Sequence, residues 1–141
     1  MASIQELENA IVEDFALFDD WTEKYQYIIE LGQQLPAMAD ALKTEDRKIK
    51  GCQSSVWLSA SLRDGKVWFD ADSDSTFVKG EIALLLRVLS GQAPEDVLKS
   101  ELSFIDKIGL RQHLAMTRAN GLAAMIKQIK LYALGFQSQQ I

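Results

Sequence analysis

The sequence predicts an α+β domain in which helices cover one face of a small antiparallel β-sheet. Apolar residues recur at helical spacing towards both ends of the chain, whereas between residues 56 and 71 they alternate with a period of two. The order is therefore helices, hairpin, helices, which is typical of α+β domains and not of alternating βαβ folds. With 141 residues, 48% of them hydrophobic, the chain can form one core, and we expect a single domain over residues 1–141.

Two helices are predicted near the N-terminus, with a break at residues 18–20. The apolar residues of the first helix are Ile4, Leu7, Ile11, Phe15 and Phe18. Asp20 is a candidate N-cap of the second helix, because its carboxylate can accept hydrogen bonds from the amides of the first turn. Pro36 ends this helix. Its inward stripe comprises Trp21, Tyr25, Ile28, Ile29 and Leu35.

A β-hairpin is predicted after a polar connection that runs from Ala37 to Lys50. Asp64-Gly65 is a strong type I′ turn signal between the two alternating segments. The segment 48–50 is a candidate third, edge strand, because an isolated hairpin is only marginally stable. The residues predicted to face the core are Val56, Leu58, Ala60 and Leu62 in the first strand, and Val67, Phe69 and Ala71 in the second.

The helical period returns after Ser75 and continues until Ser90-Gly91. Short helices are expected at Glu95 to Leu98 and at Phe104 to Ile108. A long last helix is expected from Thr117 or Arg118 to Leu134, with Gly135 as its C′ residue and residues 137–141 as a frayed tail. The apolar faces comprise Val78, Ile82, Leu85, Leu86 and Leu89 in the first of these helices, and Leu122, Met125, Ile126 and Ile129 in the last.

Composition and charge exclude several classes of protein. Fifteen Lys and Arg against twenty Asp and Glu give a net charge of −5, which disfavours nucleic acid as the main partner. No apolar stretch approaches the roughly 20 residues that a membrane span needs. The N-terminus lacks the pattern of a signal peptide, and one cysteine cannot form an internal disulfide. We therefore expect a cytoplasmic protein that binds neither nucleic acid nor membrane.

The one cysteine, Cys52, lies where the polar connection becomes a strand. Gly51 permits a tight backbone turn, and the polar residues that follow can direct amide donors towards a sulfur anion. Lys48 and Lys50 are close in sequence, so we expect a lowered thiol pKa and a reactive thiolate. The residues equally allow Cys52 to be a small buried side chain with no chemical role.

The segment GCQSSVW at residues 51–57 carries a family resemblance, together with WTEKYQYIIELGQQLP upstream and TRANGLAAMI downstream. In this order they resemble the SufE family of sulfur-acceptor proteins, also called cysteine desulfuration proteins, which includes the CsdE branch. The resemblance extends from about Phe15 to Ala133 and implies a SufE/IscU-like architecture. It implies that Cys52 accepts a persulfide sulfur from a cysteine desulfurase of the SufS or CsdA type, stimulates that enzyme, and passes the sulfur on towards iron–sulfur cluster assembly on a scaffold such as SufBCD.

The resemblance also assigns expected roles to single residues. Arg118, in the T/S-R-x-x-G segment of the family, is expected to stabilise the sulfur anion. A partner-binding role is expected for Gly51, Gln53, Ser54 and Asp74. The resemblance also implies that the cysteine is partly sheltered in an apolar pocket and turns outward on docking, so that its resting pKa would be raised until then. The chain would bind no cofactor or metal and would not itself be an enzyme, because the pyridoxal phosphate belongs to the partner.

Three alternatives stay open at this stage. A regulatory adaptor would act on a desulfurase without carrying sulfur. A Cys-dependent hydrolase or transferase would need the sole histidine, His113, beside Cys52. A U-type cluster scaffold would need about three cysteine ligands, where this chain has one. The acidic residues 70, 72, 74 and 81 match the spacing of a calcium loop, but Ser75 replaces the required glycine. We therefore interpret the segment as an acidic strand end, with Asp74 or Ser75 as the cap of the next helix.

Overall fold

The computed structural model describes residues 2–139 and confirms the predicted fold class: helices and a small antiparallel sheet of two strands. None of the helices in this part of the chain is both long enough and apolar enough to cross a membrane. Three short 3₁₀ turns lie at 40–42, 45–47 and 111–113. The elements are α1 (Ile4–Phe15), α2 (Trp21–Gln33), β1 (Val56–Arg63), β2 (Lys66–Ser73), α3 (Thr76–Leu89), α4 (Pro94–Lys99), α5 (Phe104–Lys107) and α6 (Met116–Gln139).

Local capping signals determine where the N-terminal helices begin. Ser3 and Glu6 form a capping box at the start of α1. As predicted, Asp20 caps α2, and its carboxylate accepts a hydrogen bond of 2.9 Å from the amide of Glu23. Glu8 of α1 is buried and accepts a hydrogen bond from the amide of Phe104, so α1 is attached to α5 by a specific polar contact.

The hairpin has the predicted turn but not the predicted third strand. Strands β1 and β2 pair in register from Val56 opposite Ser73 to the turn, where Asp64 and Gly65 both have positive φ, at 53° and 76°. The prediction of an edge strand at 48–50 is wrong, since only a single bridge links Lys48 to Trp57. The chain turns away immediately afterwards, through the left-handed backbone of Gly51.

Helices α2 and α3 cross at two glycines. A Cβ atom at Gly80 would lie 2.1 Å from the carbonyl oxygen of Ile28, and one at Gly32 would lie 2.6 Å from the amide nitrogen of Gly80. The two backbones therefore approach more closely than any side chain would allow. As predicted, Ser75 caps α3, and its hydroxyl accepts a hydrogen bond from the amide of Val78.

Helix α6 packs along the hairpin and along α4, and is longer than predicted. The Tyr132 hydroxyl donates to the carbonyl of Leu58 in β1, and Lys130 donates to the carbonyl of Ser100 after α4. The prediction that the helix ends at Gly135 is wrong: it continues to Gln139, so residues 137–139 are helical, and the remainder of the predicted tail lies outside the described residues. Phe136 packs against the core, which favours a helix that continues past Gly135.

One apolar core joins the inner face of the hairpin to the helices. Helices α3 and α6 meet the strands around Leu58, Leu85 and Ile129, where these side chains surround the same small space. The site described below lies at the edge of this core. The largest fully buried side chains are Phe15, Phe77, Phe104, Ile11, Ile28, Leu84, Leu85, Leu89, Leu102, Ile105, Ile108 and Leu110.

Candidate functional site

The cysteine loop, residues 50–55, leads into β1 and is fixed at both ends. On its N-terminal side the amide of Ile49 donates a hydrogen bond of 2.8 Å to the carbonyl of Val56. On its C-terminal side the carboxylate of Asp74 accepts a hydrogen bond of 3.1 Å from the amide of Ser55, and the Asp74 amide donates to the Ser55 carbonyl. The segment between these anchors contains Cys52.

The Cys52 side chain is half-buried and faces a small cavity between the loop, α3 and α6. Its thiol donates a weak hydrogen bond, with a sulfur–oxygen distance of 3.7 Å, to the carbonyl of Gly121 in α6. The cavity has a volume of about 100 Å³. The side chains that line it include Cys52, Val78, Glu81, Arg118, Leu122 and Met125. The sulfur is thus sheltered by both apolar and charged groups.

The surroundings of Cys52 favour the protonated thiol. Burial raises the pKa of the Cys52 thiol, and the charge that Glu81 carries once it is ionised raises it further. The expectation that Lys48 and Lys50 lower this pKa is therefore wrong. The ammonium of Lys48 pairs with Glu45 at 3.0 Å, and Lys50 is exposed to solvent. The resting thiol corresponds to the sheltered state that the family resemblance implies.

Glu81 is a functional candidate whose position beside Cys52 is not predicted from the sequence. Its side chain is buried, with 2% of the residue exposed, and within the described residues its Oε2 atom has no hydrogen-bond partner. Burial raises the pKa of the Glu81 carboxyl to about 8, although the charge of Arg118 opposes the change. A signal was present in the sequence: Glu81 interrupts the apolar stripe of α3, three residues after Val78 and four before Leu85.

Arg118 lies at the same cavity as Cys52, near the start of α6. Its guanidinium donates a hydrogen bond of 3.3 Å to the hydroxyl of Tyr25 and lies 4.7 Å from the centroid of the Phe77 ring. The charge of Arg118 acts on Glu81 and lowers the pKa of that carboxyl. In the resting structure Arg118 is thus held by aromatic side chains of α2 and α3.

Comparison with known proteins identifies the family of this chain. The SufE family model, described as an Fe–S metabolism associated domain, matches residues 9–133. The chain belongs to the SufE family. Its similarity to individual SufE-like proteins extends over nearly the same part of the chain.

Two curated relatives illustrate the similarity. An uncharacterised SufE-like protein of Rhizobium meliloti is 39% identical over 130 residues, which cover 89% of this chain and 93% of that protein. One from Synechocystis is 36% identical over 130 residues, which cover 92% of this chain and 82% of that protein. The solution structure of a hypothetical protein from Thermus thermophilus covers 94% of this chain and 96% of its own at 22% identity, with a TM-score of 0.78. This structural neighbour supports the fold.

The expected partner-binding residues of this SufE-family chain lie together around the cysteine loop. Gly51 and Gln53 are exposed, and Ser54 is half-buried beside the cavity. Gly51 has a φ of +94°, a conformation that glycine adopts without strain. Asp74 is exposed and forms the anchor to Ser55 described above. Gly51, Gln53 and Ser54 thus lie next to Cys52 in the loop, and Asp74 is bonded to the end of the same loop.

The acidic residues with calcium-loop spacing have separate contacts. Asp72 forms ion pairs with Lys43 at 2.9 Å and with Lys79 at 3.5 Å. Burial raises the pKa of Asp72, but the hydrogen bond from Lys43 and the other donors and cations outweigh it, so its pKa lies below the usual value. Asp74 anchors the loop, and Glu81 faces the cavity. Across residues 2–139, no three metal-ligating side chains are grouped to hold an ion.

The contacts of His113 bear on the alternative of a Cys-dependent hydrolase or transferase. The His113 ring stacks on Trp21 with a centroid distance of 4.3 Å, and its Nδ1 lies 2.8 Å from the carbonyl of Gly109. These contacts give His113 a structural role and do not favour a Cys–His pair.

Trp57 is half-buried, with the ammonium groups of Lys43 and Lys48 at 5.7 and 5.8 Å from its ring centroid.

Glu81 gives the stability of the protein a distinct pH dependence. The native state keeps the Glu81 proton up to about pH 8, whereas the unfolded chain releases it near the ordinary value of 4.5. Between these values the unfolded state binds fewer protons, so this residue makes the free energy of unfolding fall as pH rises, by up to ~1.4 kcal/mol per unit. Glu81→Leu is expected to remove this contribution, as measured by urea unfolding between pH 5 and pH 8.

The exposed Glu30 of α2 supplies a matched control. Glu30→Gln changes a solvent-exposed carboxyl. The free energy of unfolding of this variant is expected to depend on pH as that of the parent does. Equal slopes for the parent and Glu81→Leu would contradict a protonated, buried Glu81.

Proposed function

We propose that this protein accepts a sulfane sulfur on Cys52 from a cysteine desulfurase of the SufS or CsdA type. It stimulates that enzyme by removing the sulfur, and passes it to an iron–sulfur scaffold such as SufBCD. The protein is an accessory component in the cytoplasm, folded as one domain, and the pyridoxal phosphate stays on the partner. The observation that carries this proposal is the position of Cys52, the one cysteine of a SufE-family chain, in a loop over a cavity.

The sulfur transfer is a thiol exchange without net oxidation. Cys52 loses its proton, and the thiolate attacks the terminal sulfur of the cysteine persulfide on the partner. A new S–S bond forms at Cys52, the S–S bond of the partner breaks, and the partner cysteine leaves as a thiolate that takes up the proton. The exchange needs no electron donor or acceptor beyond the two sulfur groups.

Cys52 becomes reactive only when the protein docks on the desulfurase. The buried thiol has a raised pKa, so the reactive thiolate forms when the loop moves Cys52 out of the cavity towards the partner. Gly51, Gln53, Ser54 and Asp74 contact the desulfurase in this state, because they surround the cysteine on the surface. Arg118, which lines the cavity, stabilises the sulfur anion of the persulfide after the loop has returned.

Mass spectrometry tests the proposal directly. The protein is incubated with a cysteine desulfurase and cysteine, and we expect an adduct of about 32 Da on the Cys52 peptide, which a reducing agent removes. Stimulated turnover without any adduct would instead identify a regulatory adaptor. Neither adduct nor stimulation, with SufS-type and CsdA-type enzymes alike, would contradict the proposed partner class.

A further inference from the structure

The wall of the cavity includes Glu81, which has an oxygen atom without a hydrogen-bond partner, and Cys52, whose sulfur has only a weak one. Among the described residues, Glu81 Oε2 is the one fully buried side-chain oxygen or nitrogen atom without a hydrogen-bond partner. Cys52 has only the long contact of 3.7 Å to the Gly121 carbonyl. A buried polar atom without a partner costs about 1–3 kcal/mol. An unbonded carboxyl in the wall of this cavity therefore indicates that a further group occupies the cavity and bonds to it.

The size of the cavity admits an additional sulfur atom on Cys52. A water-sized atom needs only about 10–15 Å³ of such space, and the cavity between Cys52 and Glu81 holds about 100 Å³. Conversion of the thiol to a persulfide adds one sulfur beyond Sγ. The volume of the cavity exceeds what this one atom needs, and Val78, Leu122 and Met125 supply an apolar part of the wall.

The charge state of the cavity suits an anion. A persulfide is more acidic than a thiol, so its terminal sulfur is an anion at neutral pH. Glu81, with a pKa of about 8, is then a neutral acid whose O–H can donate a hydrogen bond. Arg118 adds a positive charge at the same cavity. An ionised glutamate would repel the anion, so the burial that keeps Glu81 protonated is also what lets it bind sulfur.

We propose that Glu81 is a positioning residue that donates a hydrogen bond to the terminal sulfur of the Cys52 persulfide when the loop is closed. This inference rests on the proposed function, because it assigns the cavity to the loaded state of the sulfur carrier. The hydrogen bond and the surrounding apolar wall keep the transferable sulfur away from small reductants. Glu81 thus differs from Arg118, which is held by Tyr25 in the resting structure.

A chemically prepared persulfide tests Glu81 independently of any desulfurase. Sulfide displaces 2-nitro-5-thiobenzoate from a mixed disulfide on Cys52, which leaves Cys52–S–SH and releases the aromatic thiolate. Tris(2-carboxyethyl)phosphine then removes the terminal sulfur as the phosphine sulfide and restores the thiol. The loss of the adduct is followed by mass spectrometry at neutral pH in the parent, Glu81→Leu, Glu81→Gln and Met125→Leu.

We expect Glu81→Leu to lose the sulfur about tenfold faster than the parent, the effect of one hydrogen bond to a charged group. Glu81→Gln keeps an N–H donor and is expected to give an intermediate rate. Met125→Leu changes an apolar side chain of the same wall at similar volume and should match the parent. Leucine at position 81 removes a buried acid from the core, so Glu81→Leu is expected to fold.

Two results would overturn the inference. Equal rates for the parent and Glu81→Leu would show that Glu81 makes no protective contact with the terminal sulfur. A rate for Glu81→Gln as fast as that for Glu81→Leu would exclude a donor role. Failure of a desulfurase to load Cys52, with the chemical persulfide still protected by Glu81, would contradict the proposed function and leave this assignment standing.

Discussion

Cys52→Ser is expected to reduce the stimulation of a cysteine desulfurase to the level of the enzyme alone. A hydroxyl cannot attack the partner persulfide at neutral pH, because its proton is far less acidic than that of a thiol. The measurement is desulfurase turnover with cysteine and without added reductant, with increasing amounts of the parent or the variant. The stimulation of the parent saturates as its Cys52 is loaded, whereas the variant gives no increase.

The fold and the docking surface should survive this substitution. Serine is close in size to cysteine, and Cys52 is half-buried with only a weak hydrogen bond to Gly121. We expect unchanged thermal unfolding and competition between the variant and the parent for the desulfurase. Ser61→Ala, on the exposed side of β1, is the matched control and should stimulate as the parent does. Full stimulation by Cys52→Ser would refute the acceptor role.

Gly80→Ala is expected to destabilise the protein by about 3 kcal/mol, or by roughly 10 °C in Tm. The added Cβ would lie 2.1 Å from the carbonyl oxygen of Ile28 and 2.4 Å from its side chain. Backbone atoms cannot yield as flexible side chains do, so α2 and α3 must separate. The neighbouring Glu81 then moves as well, and we expect loss of the raised pKa of its carboxyl together with the stability.

The matched control is Gly135→Ala in α6. A Cβ at this exposed helical position meets no atom within 4 Å, so the higher helix propensity of alanine should stabilise the protein by about 0.5–1 kcal/mol. The two substitutions make the same chemical change in two helices. Similar effects on urea unfolding would contradict a tight crossing at Gly80.

The elements that local chemistry specifies could be predicted from the sequence. Asp20 and Ser75 cap their helices, and Asp64-Gly65 forms the hairpin turn, because each depends on bonds within a few residues. The end of α6 could not be predicted in this way. Gly135 is a strong termination signal, but the packing of Phe136 against the core is a tertiary contact that local pattern does not show.

The sequence predicts two residues at the centre of the candidate site, but it does not predict the pKa values there. Cys52 and Arg118 were identified from the sequence segments around them, and both line one cavity. The pKa of Cys52 could not be predicted, because burial, which raises it most, and the charge of Glu81 both depend on tertiary packing. Lys48 is near in sequence yet pairs with Glu45. Glu81 was missed because its burial depends on the packing of the loop, α3 and α6.

The two anchors of the cysteine loop limit the reach of the sulfur. Ile49 and Ser55 are held by hydrogen bonds to Val56 and Asp74, and each is three residues from Cys52. An extended chain spans at most ~3.5 Å per residue, so the Cys52 backbone can move no further than about 10 Å from either anchor. While both anchors hold, so short a tether lets the Cys52 sulfur meet only groups that lie close to the surface of the molecule against which the loop docks.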